Sequence, residues 1–432
     1  MGMDIQRQPV ISGGSVTSRG YAHAAEPGAA RPLRLLVFTS LYPNAAQPRH
    51  CVFVEERLRH LVASGRVAAT VVAPVPWFPS RHSRFGKYAL FAQVPKQEER
   101  YGIRILHPRY PVIPKFGMNM APALMVRALL PMLRKLSAAQ GEFDLVDAHY
   151  FYPDGVAATR LGAALHKPVV ITARGTDVNV IAEYPSPRTQ IRRAAADAAV
   201  VITVSEALRH KVIDLGVPSG KVTALRNGVD LERFRPLDRV AIRAELNLDT
   251  PTWLTVSHLV ERKGVHLVVA ALAQVPDAVL LVVGAGPEAG ALRDLAKRLC
   301  VSERVRFLGA IDHHELCRYY NAADVQVLAS ASEGMPNVVL ESLACGTPVI
   351  AAPFESAREL IKVPEAGEVT ESHGPEAIVS AWQRLWARRP DRAATRAFAQ
   401  QLGWDPVVEA QCALYARTCA NFRQRECRGV EV

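Results

Sequence analysis

Short runs of apolar residues alternate with helical stretches along most of this 432-residue chain. Most of these runs are nearly unbroken Val, Ile and Leu, which is typical of strands covered on both faces of a parallel sheet. The predicted strands are residues 33–40, 68–73, 143–149, 168–173 and 199–205, and then 253–258, 279–284, 305–309, 325–330 and 349–352. Strands that alternate with helices predict an α/β fold with doubly wound parallel sheets.

The series of strands is interrupted once and then restarts. An Arg-Asn-Gly turn signal lies at 226–228, and residues 233–250 carry no strand pattern. The chain is therefore expected to form two Rossmann-like domains that face a cleft. The predicted divisions are a disordered tail over 1–31, a first domain over 32–225, a second domain over 226–402, and a helix over 403–432 that packs back on the first domain.

Positive charge is concentrated in one part of the chain. The net charge is +11, and residues 77–140 hold eleven Lys and Arg against two Glu. These residues also include an apolar segment with interleaved basic residues, 116–136. Two readings stay open: an anionic membrane surface as partner, or a solvated rim beside a core helix. Nucleic acid is not expected, because no recognised nucleic-acid-binding motif accompanies the charge.

The expected compartment is the cytoplasm. No apolar run approaches the ~18–20 residues of a membrane-spanning helix, and the first 31 residues lack the apolar core of a signal peptide. The seven Cys occur singly, without a C-x-x-C pair, which suits a reducing compartment. Peripheral binding to the inner face of the plasma membrane would follow if the basic region meets lipid.

The strongest candidate site follows the predicted strand over 325–330. It contains Glu333 and, eight positions later, Glu341. Pro336 suits the first position of a helix, which is predicted to end near residue 345. The free N–H groups at the start of this helix favour an anion, while the carboxylates suit hydrogen bonds from sugar hydroxyls. The alternative is a capped helix with a surface acid.

Two further candidate loops follow strands of the second domain. Arg262 and Lys263 precede a glycine that opens a helix, and adjacent cations at such a position neutralise a diphosphate. Gly284 and Gly286 follow the next strand, where glycine lets the backbone approach a ligand closely. The glycines do not complete a G-x-G-x-x-G pattern, since Ala289 occupies the last place.

The first domain offers polar residues at two strand ends. His149 ends one predicted strand, and Arg174, Gly175 and Asp177 follow the next. The carboxyl ends of parallel strands meet at one edge, so these loops are expected to be neighbours. His149 there suits a hydrogen bond to a sugar hydroxyl or a developing charge, and a buried structural histidine is the alternative. No His, Cys or Asp cluster has the sequence spacing of a metal site.

Together these motifs resemble retaining glycosyltransferases of the GT-B fold, specifically the large family-4, or group 1, class. The resemblance covers residues 33 to 402 and rests on the E-x7-E pair Glu333 and Glu341, on Arg262-Lys263, on the Gly284/Gly286 loop, and on the stretch from Val204 to Phe234. The stretch Leu41-Tyr42-Pro43 with Phe53-Val54 resembles enzymes that build bacterial exopolysaccharide or envelope polysaccharide.

The resemblance implies a role for each candidate residue. Arg262 and Lys263 hold the donor diphosphate. Glu341 accepts from the ribose hydroxyls and Glu333 from the donor sugar. The segment Gly334, Met335, Pro336 and Asn337 lines the sugar and phosphate pocket, with Gly284 and Gly286 on the donor side. His149 lies near the donor sugar, and Arg174, Gly175 and Asp177 lie on the acceptor side. Glu333, His149, Arg262 and Lys263 are the expected catalytic residues.

The sequence departs from the family pattern at two places. Many members have a Gly-Gly loop after the first strand, whereas this chain has Gln47-Pro48-Arg49-His50-Cys51, with Cys51 in place of a glycine. Members commonly have His where Arg174 stands. Phosphate binding by the first loop is therefore in question, and Arg174 either meets a charged acceptor or forms a salt bridge.

The resemblance implies retaining transfer of a sugar from a UDP- or GDP-sugar to an acceptor hydroxyl, expected on a glycan or lipid-linked envelope intermediate. Neither metal nor cofactor is expected. Because no clear carboxylate nucleophile is present, front-face attack is favoured, with the donor phosphate taking the acceptor proton. Two other readings remain: a nucleotide-sugar epimerase of the same fold, and a non-catalytic protein that binds nucleotide sugars.

Overall fold

A computed structural model describes residues 31–112 and 118–429 of the chain. Apart from Arg31, the predicted disordered tail lies outside the described residues, as do Lys115 and Phe116 of the basic region. The strands are β1 Leu33–Phe38, β2 Val67–Val72, β3 Val75–Pro76, β4 Gln97–Arg100, β5 Ile103–Leu106, β6 Arg109–Tyr110, β7 Leu145–His149, β8 Val169–Ala173, β9 Val200–Thr203, β10 Val222–Ala224, β11 Thr252–Val256, β12 Val279–Val283, β13 Val305–Gly309, β14 Val325–Leu328, β15 Val349–Ala351 and β16 Gly367–Val369.

Helices connect most of these strands. They are α1 Val52–Ala63, α2 Lys87–Gln93, α3 Ala121–Gln140, α4 Val156–Leu165, α5 Thr176–Asn179, α6 Pro185–Asp197, α7 Glu206–Asp214, α8 Arg239–Glu245, α9 Val265–Leu272, α10 Ala289–Arg298, α11 Leu316–Ala322, α12 Asn337–Ala344, α13 Ala357–Leu360, α14 Pro375–Arg388, α15 Arg392–Gln400 and α16 Asp405–Gly429. A five-residue π-turn, Phe151–Gly155, precedes α4. Among the described residues, no helix is both long enough and apolar enough to span a membrane.

The strands form two large sheets. The first has the order β10-β9-β8-β7-β1-β2-β5-β4 and the second the order β13-β12-β11-β14-β15-β16. Neighbours pair in parallel throughout, except for antiparallel β4 and β5. The predicted α/β fold with two doubly wound parallel sheets is therefore confirmed. In each sheet the chain order reverses beside the first strand, β1 or β11, and ligands of such sheets bind at that point.

Several strands carry no apolar signal in the sequence. β4 reads Gln-Glu-Glu-Arg and forms the edge of its sheet, and β3 and β6 are two-residue strands that pair with each other. Seven of the ten predicted strands extend one or two residues past the observed carboxyl ends, whereas the three predicted to end at 149, 173 and 309 end there. Residues such as Ser40 and Ser257 leave the ladder there and begin the loops that form the site.

Helix α3 buries the apolar side of the basic region inside the protein. Met125, Leu129 and Leu133, spaced four residues apart, lie in the core beneath the first sheet. Arg127 and Arg134 lie on the exposed side of the helix. In the described part of 116–136, the apolar face therefore packs against the protein's own core. Only the exposed basic side chains of this helix remain available to a membrane surface.

Helix α16 lies against the first sheet although it follows the second in the chain. Val407, Val408 and Tyr415 join the core cluster that contains Leu58 and Leu61 of α1. A buried arginine of α1, Arg57, donates to Gln411 Oε1 of α16 at 2.7 Å. The C-terminal helix thereby ties the end of the chain to the first sheet.

Candidate functional site

The loops after β11 and β14 bring a cation and an acid together beside α12. Lys263 Nζ lies 2.5 Å from Glu333 Oε1, and both side chains are mostly buried. Arg262 is exposed next to them, and all three residues line a cavity of about 1210 Å³ between the two sheets. Met335, Pro336 and Asn337 line the same cavity. The structure therefore collects most of the residues predicted from the second half of the chain.

Glu341 lies at a second, adjoining cavity of about 540 Å³. Its two carboxylate oxygens are each 2.8 Å from a donor, Oε1 from His313 Nε2 and Oε2 from the Tyr320 hydroxyl. Burial lowers the pKa of His313, but the charge and hydrogen bond of Glu341 outweigh it, so that this pKa lies above its ordinary value. Asn337 and His313 line both cavities, which are therefore continuous.

The start of α12 differs from the prediction. Pro336 was expected at the first helical position, but it precedes the helix with extended dihedral angles, φ −79° and ψ 96°. The helix begins at Asn337 and ends, as expected, next to Cys345 and Gly346. Asn337 Oδ1 accepts from Asn227 Nδ2 at 2.8 Å, so an amide from the turn between the two halves meets the first residue of the helix.

The glycines of the site serve close backbone contacts. A Cβ on Gly284 would lie 1.8 Å from the Ser257 carbonyl oxygen, and one on Gly286 would lie 2.2 Å from that of Leu259. These glycines let the β12 loop pack closely on the β11 loop. Gly284 lines the smaller cavity. Gly334 faces the first domain, where its Cβ would lie 2.3 Å from the Arg174 carbonyl oxygen.

The residues predicted from the first domain lie together but are buried. His149 Nδ1 is 2.7 Å from Arg174 Nη2, and its Nε2 is 3.2 Å from Asp147 Oδ2. Because arginine only donates, Nδ1 accepts and Nε2 carries the hydrogen. Burial is the main cause that lowers the pKa of His149, and it lowers that of Arg174 to about 9. The structure thus places His149 behind Arg174, with both ring nitrogens occupied.

Asp177 organises the loop that carries Arg174. Its carboxylate accepts from the backbone N–H groups of Phe151 at 2.8 Å, Gly175 at 2.8 Å and Arg174 at 3.1 Å. Burial raises the pKa of this carboxyl, and the three backbone donors oppose the rise. The Asp177 side chain is fully buried. In this arrangement it shapes the loop from behind, and it is not among the residues that line the two cavities.

The loop that replaces the expected Gly-Gly element lines both cavities. Cys51, the residue before α1, has φ 51° and ψ 43°, a left-handed conformation that glycine adopts without cost. Arg49 of this loop reaches across the cleft, and its Nη2 is 2.7 Å from Asp312 Oδ1. The backbone shape at Cys51 therefore suits a glycine although the side chain is a thiol.

The fold brings together three potential metal ligands that the sequence spacing did not reveal. Ligand atoms of Glu56, His60 and Asp230 lie within 4.8 Å of one another. Glu56 Oε1 already pairs with Arg59 at 2.9 Å and with Arg233 at 3.0 Å. Their positive charges occupy the place that a cation would take, so this group fits a salt-bridge network better than a metal site.

Sequence reasoning missed several residues that line the cavities, among them Glu56, Arg233 and His313. Arg233 belongs to the linker between the sheets, and its Nη1 is 3.2 Å from His313 Nδ1. His313 follows β13, so its place after a parallel strand was an available signal. Nothing local marks Glu56, because its importance arises from contacts with residues far away in the chain.

Comparison with known proteins identifies the family. The model described as "Glycosyl transferases group 1" matches residues 238–402, and "Glycosyltransferase Family 4" matches residues 52–233. The putative teichuronic acid biosynthesis glycosyltransferase TuaC of Bacillus subtilis is 30% identical over 325 residues, which cover 74% of this chain and 80% of TuaC.

Solved structures agree on the fold. Sucrose-phosphate synthase from Thermosynechococcus elongatus superposes with a TM-score of 0.73 at 24% identity, over 90% of this chain and 100% of that one. Anabaena Alr3699/HepE in complex with UDP and glucose gives 0.67 at 21% identity, over 89% and 100% of the two chains. The two sheets and the cleft between them are thus the GT-B arrangement, and the chain belongs to the group 1 glycosyltransferases, which use nucleotide sugars as donors.

Proposed function

We propose that this protein transfers a sugar, with retention and without a metal ion, from a UDP- or GDP-sugar to an acceptor hydroxyl on a lipid-linked or envelope polysaccharide intermediate. One observation carries the proposal. Lys263 and Glu333, 2.5 Å apart, lie at one end of the continuous cavities, and Glu341 lies at the other. A nucleotide diphosphate sugar offers ribose, diphosphate and sugar in that order, which matches this arrangement.

The chemical task is to stabilise a departing diphosphate. The bond between the anomeric carbon of the donor sugar and the diphosphate oxygen breaks, and negative charge develops on the departing phosphate. Lys263, Arg262 and the backbone N–H groups at the start of α12 supply positive potential where that charge develops. Glu333, held by Lys263, accepts hydrogen bonds from the donor sugar.

Retention follows if the acceptor oxygen attacks from the side on which the diphosphate leaves. The acceptor hydroxyl then passes its proton to the departing phosphate oxygen, so no protein carboxylate need act as nucleophile. His149, the predicted catalytic residue of the first domain, acts through Arg174 in this scheme, because both its ring nitrogens are engaged.

Lys263→Met provides the direct test. Loss of this cation is expected to lower kcat/KM about 10²- to 10³-fold, by analogy with removal of one oxyanion-hole donor. Lys297→Met is the matched control, because Lys297 is exposed on α10, where its Nζ lies 3.4 Å from Asp294 Oδ1 on the same helix. Turnover of donor is followed with EDTA present, first with UDP-sugars and then with GDP-sugars. Equal activity of the two variants would contradict the role of Lys263, and activity that needs added metal would contradict metal independence.

The same assay separates the alternatives. An epimerase consumes donor without acceptor, whereas a transferase releases nucleoside diphosphate in proportion to glycosylated acceptor. A non-catalytic binding protein shifts its melting temperature with nucleotide but releases no product. NMR of the product gives the anomeric configuration, and inversion would contradict the retaining mechanism.

An envelope or lipid-linked acceptor is supported by the name of TuaC, a putative teichuronic acid biosynthesis glycosyltransferase, and by the exposed basic residues of the first domain, such as Arg127 and Arg134. Vesicles that contain anionic lipid are expected to bind the protein at low salt and release it at high salt, since surface attraction is screened within about 10 Å at 0.1 M salt. Equal binding to neutral vesicles would contradict the electrostatic attraction.

A further inference from the structure

The carboxylate assigned to the donor ribose is already held on both of its oxygens. His313 Nε2 lies 2.8 Å from Glu341 Oε1, and the Tyr320 hydroxyl lies 2.8 Å from Oε2. A carboxylate has about four acceptor positions, two on each oxygen. The two protein donors therefore leave one position on each oxygen, and two remaining acceptors match the two neighbouring hydroxyls of a ribose.

His313 donates to Glu341 whatever its charge. Arg233 Nη1 is 3.2 Å from His313 Nδ1, and an arginine only donates, so in the neutral imidazole Nδ1 accepts and Nε2 carries the hydrogen. A protonated imidazole carries a hydrogen on Nε2 as well. The ring is also packed against Phe234, with ring centroids 5.1 Å apart. The direction of the donated hydrogen is therefore fixed by two neighbours from the linker.

The chain of contacts continues into the first domain. Arg233 Nη1 lies 3.0 Å from Glu56 Oε1 of α1, and its Nε lies 3.8 Å from Asp230 Oδ2. All three side chains are largely buried. A continuous series of contacts, Glu56 to Arg233 to His313 to Glu341, therefore connects the first domain with the donor carboxylate across the cleft.

We propose that His313 is a positioning residue that aims Glu341 at the donor ribose, and that Arg233 and Glu56 hold His313 in place from the linker and the first domain. The inference rests on the proposed function, because it presupposes a ribonucleotide donor. It adds that selection for ribose depends on a histidine outside the E-x7-E pair and on closure of the first domain over the second.

Selection for the ribose hydroxyls is the readout that a merely structural role would not change. The dissociation constants of UDP and of 2′,3′-dideoxy-UDP are compared by calorimetry, or those of the guanosine pair if the wild type binds GDP instead. A hydrogen bond to a charged group contributes about 1.5–3 kcal/mol to the binding free energy. The wild type is therefore expected to bind the ribonucleotide about tenfold or more tightly than the dideoxynucleotide.

Two substitutions of His313 separate its two contacts. In His313→Gln the side-chain amide reaches the place of Nε2 and keeps a donor to Glu341. In His313→Asn the shorter amide replaces only Nδ1, which faces Arg233, and Glu341 loses its donor. In His313→Asn the ratio of the dideoxynucleotide and ribonucleotide dissociation constants is expected to fall to about threefold or less, whereas His313→Gln keeps most of the wild-type ratio. His266→Gln, at an exposed histidine of α9 that lines neither cavity, is the control and is expected to match the wild type.

Glu56→Ala tests the far end of the series and covers the case in which a His313 variant does not fold. It releases Arg233, and we expect the ribose preference to fall while affinity for the dideoxynucleotide stays within about twofold of wild type. Unchanged preference in both His313→Asn and Glu56→Ala would overturn the proposal, as would equal loss of affinity for both nucleotides.

Failure of the proposed function gives a different result. If neither UDP nor GDP binds the wild type, donor binding itself is wrong and the positioning role falls with it. If the wild type prefers the ribonucleotide but Glu341→Ala keeps that preference, the ribose is held elsewhere and only the positioning role is overturned. Loss of preference in Glu341→Ala and His313→Asn alike supports both.

Discussion

Among the individual residues, Asp154 carries a buried carboxyl group that no local sequence pattern predicts. Its side chain is fully buried, and Oδ2 accepts from the Ser40 backbone N–H at 2.7 Å and from the Ser40 hydroxyl at 2.9 Å. Burial raises its pKa from 3.8 to about 7. Between these two values the folded protein keeps a proton that the unfolded chain releases, so this contribution to stability is present at low pH and is lost as pH rises.

Asp154→Asn should remove that dependence. The free energy of unfolding of the wild type, minus that of Asp154→Asn, is expected to fall by about 1.4 kcal/mol per pH unit from pH 4 to pH 7 and to level off above. Urea unfolding at several pH values measures it. If the free energy of unfolding of the wild type minus that of Asp154→Asn rises with pH, the raised pKa is contradicted.

The sequence could predict some residues of the candidate site but not others. Glu333 and Lys263 follow buried strands, and the edge of a parallel sheet brings such loops together. Arg233 and His313 lie 80 positions apart and meet only because the linker folds over the second sheet. Tyr415 of α16 likewise lies near Asp147, the partner of His149, and no strand pattern contains that information.

At the scale of elements, helix α7 takes part of its N-terminal cap from the other domain. Ser205 Oγ accepts from the Leu208 N–H at 3.2 Å, as a local cap does. Glu359 of α13 accepts from the N–H groups of Glu206 at 2.9 Å and Ala207 at 2.8 Å. Strand and helix periods predict such elements one by one. They cannot predict a cap supplied from 152 residues away.

Glu359→Ala should therefore weaken closure of the domains. Loss of a carboxylate at a helix N-terminus costs about 0.5–2 kcal/mol, and here that cost falls on the closed arrangement, because only that arrangement provides the cap. Limited proteolysis with donor nucleotide present is expected to be faster than for the wild type. Glu371→Ala removes the same charge from an exposed position of the second domain, so it should match the wild type. Equal cleavage of the two variants would show that the cap does not support closure.

In the molecule as a whole the two domains touch across the cleft, and two glycines make that contact close. A Cβ on Gly175 would lie 2.9 Å from Gly334 Cα, and one on Gly334 would lie 2.3 Å from the Arg174 carbonyl oxygen. Met335 packs against the cores of both domains. The apolar runs could predict each sheet separately. Their relative placement depends on this contact between loops, which has no periodic signature.

Gly334→Ala should hold the cleft open without unfolding either domain. The added methyl group clashes with backbone that cannot move independently, whereas an open cleft removes the clash. Turnover is expected to fall about 10²-fold, since a displacement of about 1 Å at a reacting centre costs that much. The melting temperature should stay close to that of the wild type. Gly290→Ala is the matched control, because a Cβ there meets no atom within 4 Å. Small-angle scattering with donor nucleotide should give a larger radius of gyration for Gly334→Ala than for Gly290→Ala. Equal radii and equal turnover would mean that catalysis does not need the cleft to close as far as these loops allow.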